Sequence, residues 1–258
     1  APLAGMAIGA LGTSLLVQFA PAPTILVYIV TLALLALQAM LLWVMPETTT
    51  RRTGLLASLK PEIAVPLQAR RTLLALTPIN VAVWALAGFY LSLVPSLVTA
   101  TTGSTAPLVG GSVVAALTIS GAAAVFLMRK RSAATIMWFG IPSMTLGILT
   151  VIAGMHAAEV SILALGTLIA GAGFGAAFLG TVRSIMPLAK PDERAGLLSA
   201  FYIQSYLAFS VPAILAGFLS KAFGFAEAAD IYAAAILLLV GWGVVALRSN
   251  REKPLSIA

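Results

Sequence analysis

Apolar residues fill this chain in eight long runs, each ended by a short stretch rich in proline, glycine or charge. A run of about 20 apolar residues is the length at which a helix crosses the hydrocarbon of a bilayer, where only a helix or a closed barrel satisfies its own backbone. The pattern predicts helices over about 1–20, 24–45, 73–98, 107–128, 133–154, 160–182, 195–219 and 227–247. The breaks carry turn chemistry, with PAP at 21–23, TTGSTAP at 101–107 and KPDER at 190–194. The fold class that follows is an all-α polytopic membrane protein with eight transmembrane helices.

Composition supports that partition. Hydrophobic residues make up 60% of the 258 positions, charged residues only 9%, and mean hydropathy is +1.05. A soluble domain carries about 25% charged residues to face water. The net charge of +7 raises the question of nucleic acid. Such a partner needs cations gathered on one face of a soluble fold. Here they sit in small groups between membrane-length runs, as in FLMRKRSAATIMW at 126–138, and no nucleic-acid partner is expected. If alternate loops lie on one side, fourteen of the fifteen cations fall there, and only Lys221 falls on the other. Lys and Arg concentrate on the cytoplasmic side of membrane proteins. Arg129, Lys130 and Arg131 are accordingly read as topology anchors, with both ends of this segment cytoplasmic. The absence of cysteine and the single histidine, His156, exclude disulfides and multi-histidine metal sites. No metal or cofactor is expected. No nucleophile–base pair or carboxylate dyad stands out, so the chain does not read as an enzyme.

Several stretches are similar to the major facilitator superfamily of transporters. APLAG at 1–5 resembles that family's fifth-helix motif at Pro2 and Gly5, with Ala1 and Met6 where glycine is usual. WVMPET at 43–48 resembles the exit from the sixth helix, GAGFGAAFLG at 171–180 the tenth helix, and PDERAG at 191–196 the loop before the eleventh. The cluster at 129–131 takes the place of a gate motif but has no acid within its loop. The resemblance implies that residues 1–45 are the last two helices of an amino-terminal half and 46–72 a cytoplasmic linker between halves. Residues 73–247 would be the carboxy-terminal six-helix half and 248–258 a cytoplasmic tail, with the amino-terminal four helices of the same protein missing from this sequence. It further implies a multi-pass protein of the bacterial inner membrane, moving a small organic solute by alternating access. Proton-coupled efflux of drug-like or metabolite compounds is the expected activity. A metabolite uptake symporter, or a scaffold or sensor that keeps the fold without transport, are the alternatives. The implied partners are the lipid bilayer, a small-molecule substrate and protons.

Candidate residues follow from the pattern within the helices. GAGFGA at 171–176 fits a dinucleotide fingerprint by letters, but it lies inside an apolar run with no preceding strand. Gly171 and Gly175, and likewise Gly5 and Gly9, instead form G-x-x-x-G pairs that let helices approach closely. Asn80, Trp84 and Gly88 share one helical stripe. Tyr202, Ser205, Tyr206 and Phe209 share another, with Gln204 about 60° or more off it. These residues suit a cavity for an amphipathic organic molecule, or equally interhelical hydrogen bonding and aromatic packing. Gln38 and Thr118 are weaker candidates. All eight acids fall at or near span ends, so a proton-carrying carboxylate is expected outside this segment. His156 is expected as a solvated residue in a turn. Pro78, Pro95, Pro142 and Pro212 are expected to kink helices, for gating or without consequence.

Overall fold

The computed structural model describes residues 2–46 and 63–251. All eight predicted spans are helices, and no strand occurs among the described residues. The helices are α1 (Pro2–Phe19), α2 (Pro23–Val44), α3 (Leu67–Ser92), α4 (Val94–Thr102), α5 (Pro107–Met128), α6 (Ala133–His156), α7 (Val160–Ile185), α8 (Arg194–Phe223) and α9 (Phe225–Arg251). A single 3₁₀ turn, Met186–Leu188, follows α7. All but the short α4 are long and apolar enough to span a membrane, so the chain is a multi-pass, all-α membrane protein. The calls on Ala1, on 47–62 within the expected linker and on 252–258 of the expected tail lie outside the described residues.

Two boundaries differ from expectation, each for a physical reason. The third span begins at Leu67, so the last six residues of the expected 46–72 linker form the opening turns of α3. Charge at Arg70 and Arg71 suggested an end to the span, yet a helix continues past hydrocarbon into water without difficulty. Pro66 starts it, accepting from the Ala69 and Arg70 amides at 2.9 and 3.1 Å, and the Arg70 Nε donates to the Val65 carbonyl at 3.1 Å. The same span also breaks at Leu93, giving α3 and α4 instead of one helix to 98. Pro95, second in α4, has no amide hydrogen, and its ring opposes a continuous helical path through the preceding turn. Pro78, Pro142 and Pro212 lie inside unbroken helices.

Helix α3 is the centre of the bundle, burying thirteen residues including Ile79, Val83 and Leu86. It packs against α8 and α9 and reaches α7. The broadest interface joins α6 to α7. There Gly140, Gly147 and Gly154 of α6 recur every seven residues, as do Gly166, Gly173 and Gly180 of α7. A Cβ at Gly140 would sit 2.6 Å from the Ala177 amide nitrogen, and one at Gly166 2.6 Å from that of Val151. The two backbones therefore touch with no side chain between them. Helix α1 leans on α5, and α2 packs chiefly on α1 while burying none of its own residues.

Candidate functional site

The polar candidates meet at the seam between α3 and α8. Asn80 is 1% exposed, and its Nδ2 donates to the Gln204 Oε1 at 3.2 Å and the Ser205 Oγ at 3.0 Å. Gln204 Nε2 donates in turn to Thr77 Oγ1 at 2.8 Å, and Ser205 Oγ donates to the Phe201 carbonyl at 2.8 Å. The Asn80 Oδ1 is buried without a hydrogen-bond partner, and so is the Trp84 Nε1 one turn along α3. A buried polar atom left alone costs about 1–3 kcal/mol, and α3 carries two of them one turn apart.

This geometry splits the expected α8 stripe. Ser205 is fully buried against α3 and the half-buried, off-stripe Gln204 joins it there, whereas Tyr202 and Tyr206 turn outward, 37% and 61% exposed. Gly88 leaves no gap in a cavity: a Cβ there would lie 2.7 Å from the Phe209 carbonyl oxygen and 3.0 Å from the Tyr232 hydroxyl. That hydroxyl donates to the Ala85 carbonyl at 2.9 Å, tying α9 to α3.

Around Trp84 the aromatic rings close into a circuit. Trp84 lies 5.6 Å from Tyr206 and 6.1 Å from Phe178 by ring centroids. Tyr206 continues to Tyr202 at 6.2 Å, Tyr202 to Phe201 at 5.5 Å, and Phe201 returns to Phe178 at 6.3 Å. These are tilted or edge-on distances at which ring quadrupoles attract. Phe178 and Phe201 were not picked out by sequence. The signal for Phe178 is its spacing from Phe174, four residues apart on α7, hidden inside a motif that reads as glycine-rich.

Beside this circuit lies a cavity of about 590 Å³ among α1, α3, α5, α7 and α8. Trp84, Phe126, Phe174, Phe178, Tyr206 and Phe209 line it, α1 adds Pro2, Leu3 and Met6, and Arg129 stands at the α5 end. Pro2 thus borders a hollow and is exposed at the start of α1. Gly5 and Gly9 face open space, with nothing within 4 Å of a Cβ built on either. Their expected packing role is not made among the described residues, because α1 turns Leu3, Ala7 and Ser14 inward instead. Gly171 and Gly175 do pack: a Cβ on the first would collide with Leu117 and Ser120, and on the second with Gly121, all on α5.

The basic cluster is held at the end of α5. The Arg183 guanidinium donates to the Arg131 carbonyl at 2.7 Å and also to that of Arg129, satisfying oxygens that a helix end leaves free. The Arg129 guanidinium carbon lies 4.2 Å from the Phe126 ring centroid. Lys130 and Arg131 are exposed. At the same end the Gln68 Nε2 donates to Glu193 Oε2 at 2.8 Å. At the opposite end His156 is exposed, as expected, but it closes α6 instead of lying in the turn, and it has a partner. Its Nε2 lies 3.0 Å from both carboxylate oxygens of Asp230, joining α6 to the first turns of α9. Thr118 is satisfied by its own helix, and Gln38 is exposed on α2. Among the described residues no cluster of His, Asp or Glu is placed to hold a metal. No protein-family model matches the chain, and no curated protein is significantly similar to it.

Proposed function

We propose that the protein is a secondary transporter of the major facilitator type, carrying a small organic solute through the aromatic cavity beside Trp84. The observation that carries this reading is the cavity itself, about 590 Å³ and walled by aromatic rings. A solute there would lie against Trp84, Phe178 and Tyr206, with the Tyr206 hydroxyl and Arg129 as the polar groups of the lining. Volume and lining suit a small organic molecule, whose pockets are mostly apolar with a few orienting polar groups. Alternating access would open the cavity to each side in turn as helix groups rock. The clustering of cations at one end of the bundle supports a cytoplasmic placement of that end in a bacterial inner membrane. Proton-coupled efflux is the direction we assign. The described acids sit at helix ends, so the coupling carboxylate lies outside the described residues.

The test is solute accumulation in inside-out vesicles from cells making the full-length protein, across a panel of radiolabelled aromatic compounds. At least one compound accumulates above the vector control, collapses with a protonophore, and falls at least tenfold in Trp84→Ala. If none accumulates and none raises the unfolding temperature of the folded protein, a non-transporting scaffold takes the place of this reading.

A further inference from the structure

Arg129 brings a full positive charge to the aromatic cavity, and among the described residues lining that cavity it is the only charged group. Among the described residues no carboxylate is paired with it: the one contact of salt-bridge length is His156–Asp230, at the other end of the bundle. Its guanidinium rests on the face of Phe126, a cavity wall, which holds the head over the apolar lining while leaving its donors uncommitted to an acid. The Trp84 Nε1–H is buried, so the other polar group that the lining presents is the Tyr206 hydroxyl, which can donate or accept. A cavity whose described lining holds one permanent cation and no acidic side chain asks for a ligand that is negative in charge and accepts hydrogen bonds. Its rings ask for a flat apolar body.

Resting on the transport reading above, we infer that the cavity selects aromatic anions, such as aryl carboxylates, over organic cations of the same shape. Arg129 is the charge-selecting residue, pairing with the anionic head, and Trp84 stacks the ring. Arg129 is exposed at the rim of the hollow, and beside an apolar wall its field still attracts an anion and repels a cation.

The experiment uses the full-length protein in nanodiscs with Trp43, Trp138 and Trp242 replaced by Phe. All three are exposed, by 90%, 57% and 65%, so their replacement leaves the core untouched and Trp84 as the reporter within this segment. Any tryptophan elsewhere in the full-length chain is replaced likewise. Three nitroaromatic quenchers of one shape are titrated: 4-nitrobenzoate, 4-nitrobenzyl alcohol and 4-nitrobenzylammonium. The anion is expected to quench saturably at a concentration at least tenfold lower than the cation. Arg129→Gln is expected to weaken the anion about tenfold and the alcohol less than twofold, and Arg129→Lys to restore most of the anion's affinity. A cation that binds as well as the anion, or an Arg129→Gln variant that binds the anion unchanged, overturns the inference and leaves the solute cavity standing. If none of the three quenches saturably, while brominated lipid quenches Trp84 and is not displaced, the hollow holds an acyl chain. Both this inference and the transport reading then fail.

Discussion

Replacing Gly147 by alanine tests the seam between α6 and α7 directly. The new methyl carbon would sit 2.7 Å from the Ala170 Cβ, with the Ala170 backbone closer still. Carbon atoms in contact rest at roughly 3.5–4.0 Å, so the two helices must part by about 1 Å. A gap of that size forfeits about a quarter to a half of each contact it opens. It would propagate to Gly140 and Gly154, whose own close approaches to Ala177 and Leu163 depend on the same separation. Overpacking of a filled interior costs about 1–3 kcal/mol. The upper half of that range applies, since backbone and not a flexible side chain stands in the way. Alanine returns up to about 1 kcal/mol through its better helix propensity. The net loss is therefore about 1–2 kcal/mol. Gly217 and Gly241, with nothing within 4 Å of a built Cβ, supply the controls, and alanine there is neutral or slightly stabilising. Equilibrium unfolding in mixed micelles, followed by tryptophan fluorescence, measures all three. A Gly147→Ala protein as stable as Gly217→Ala would refute the close contact.

Other expectations concern the polar contacts. Asn80→Ala should cost about 1–2 kcal/mol and uncouple α3 from α8. A double-mutant cycle with Ser205→Ala should return roughly 0.6 kcal/mol for the shared bond, the usual size between helices in a bilayer. Arg183→Ala should speed amide hydrogen exchange across 129–132 by freeing the carbonyls of Arg129 and Arg131, with Arg183→Lys rescuing only in part because it lacks the planar fork. His156→Ala and Asp230→Asn should each lower stability by less than about 1 kcal/mol, because side chains 55% and 40% exposed form a weak pair.

Much of the fold could be read from length and hydropathy, because hydrocarbon leaves the backbone so few choices. The eight helices and the packing role of Gly171 and Gly175 came from that rule and from small-residue spacing. The same spacing misled at Gly5 and Gly9. A missing side chain permits close approach but does not summon a partner, and the rotation of α1 decided the matter. The seven-residue glycine ladders of α6 and α7 escaped notice because each pair within a helix is two turns apart and shows its meaning only beside the other ladder. Trp84 and Asn80 were legible as a stripe. Gln204 was not legible as their neighbour, since its meeting with Asn80 depends on the axial register of helices 124 residues apart. Four prolines look alike in the sequence, yet only Pro95 ends a helix.

The glycine ladders also limit how this protein can move. Their repeat corresponds to about 10 Å of helix rise, so sliding α6 along α7 by a single turn would drive larger side chains into bare backbone. The pair is thus a stiff plank, and α7, which forms one wall of the aromatic hollow, carries α6 with it in any excursion. Reshaping of the hollow must then fall to the opposite wall, where α1 buries only Leu3, Ala7 and Ser14 and the proline joint at Leu93 gives α3 a ready pivot.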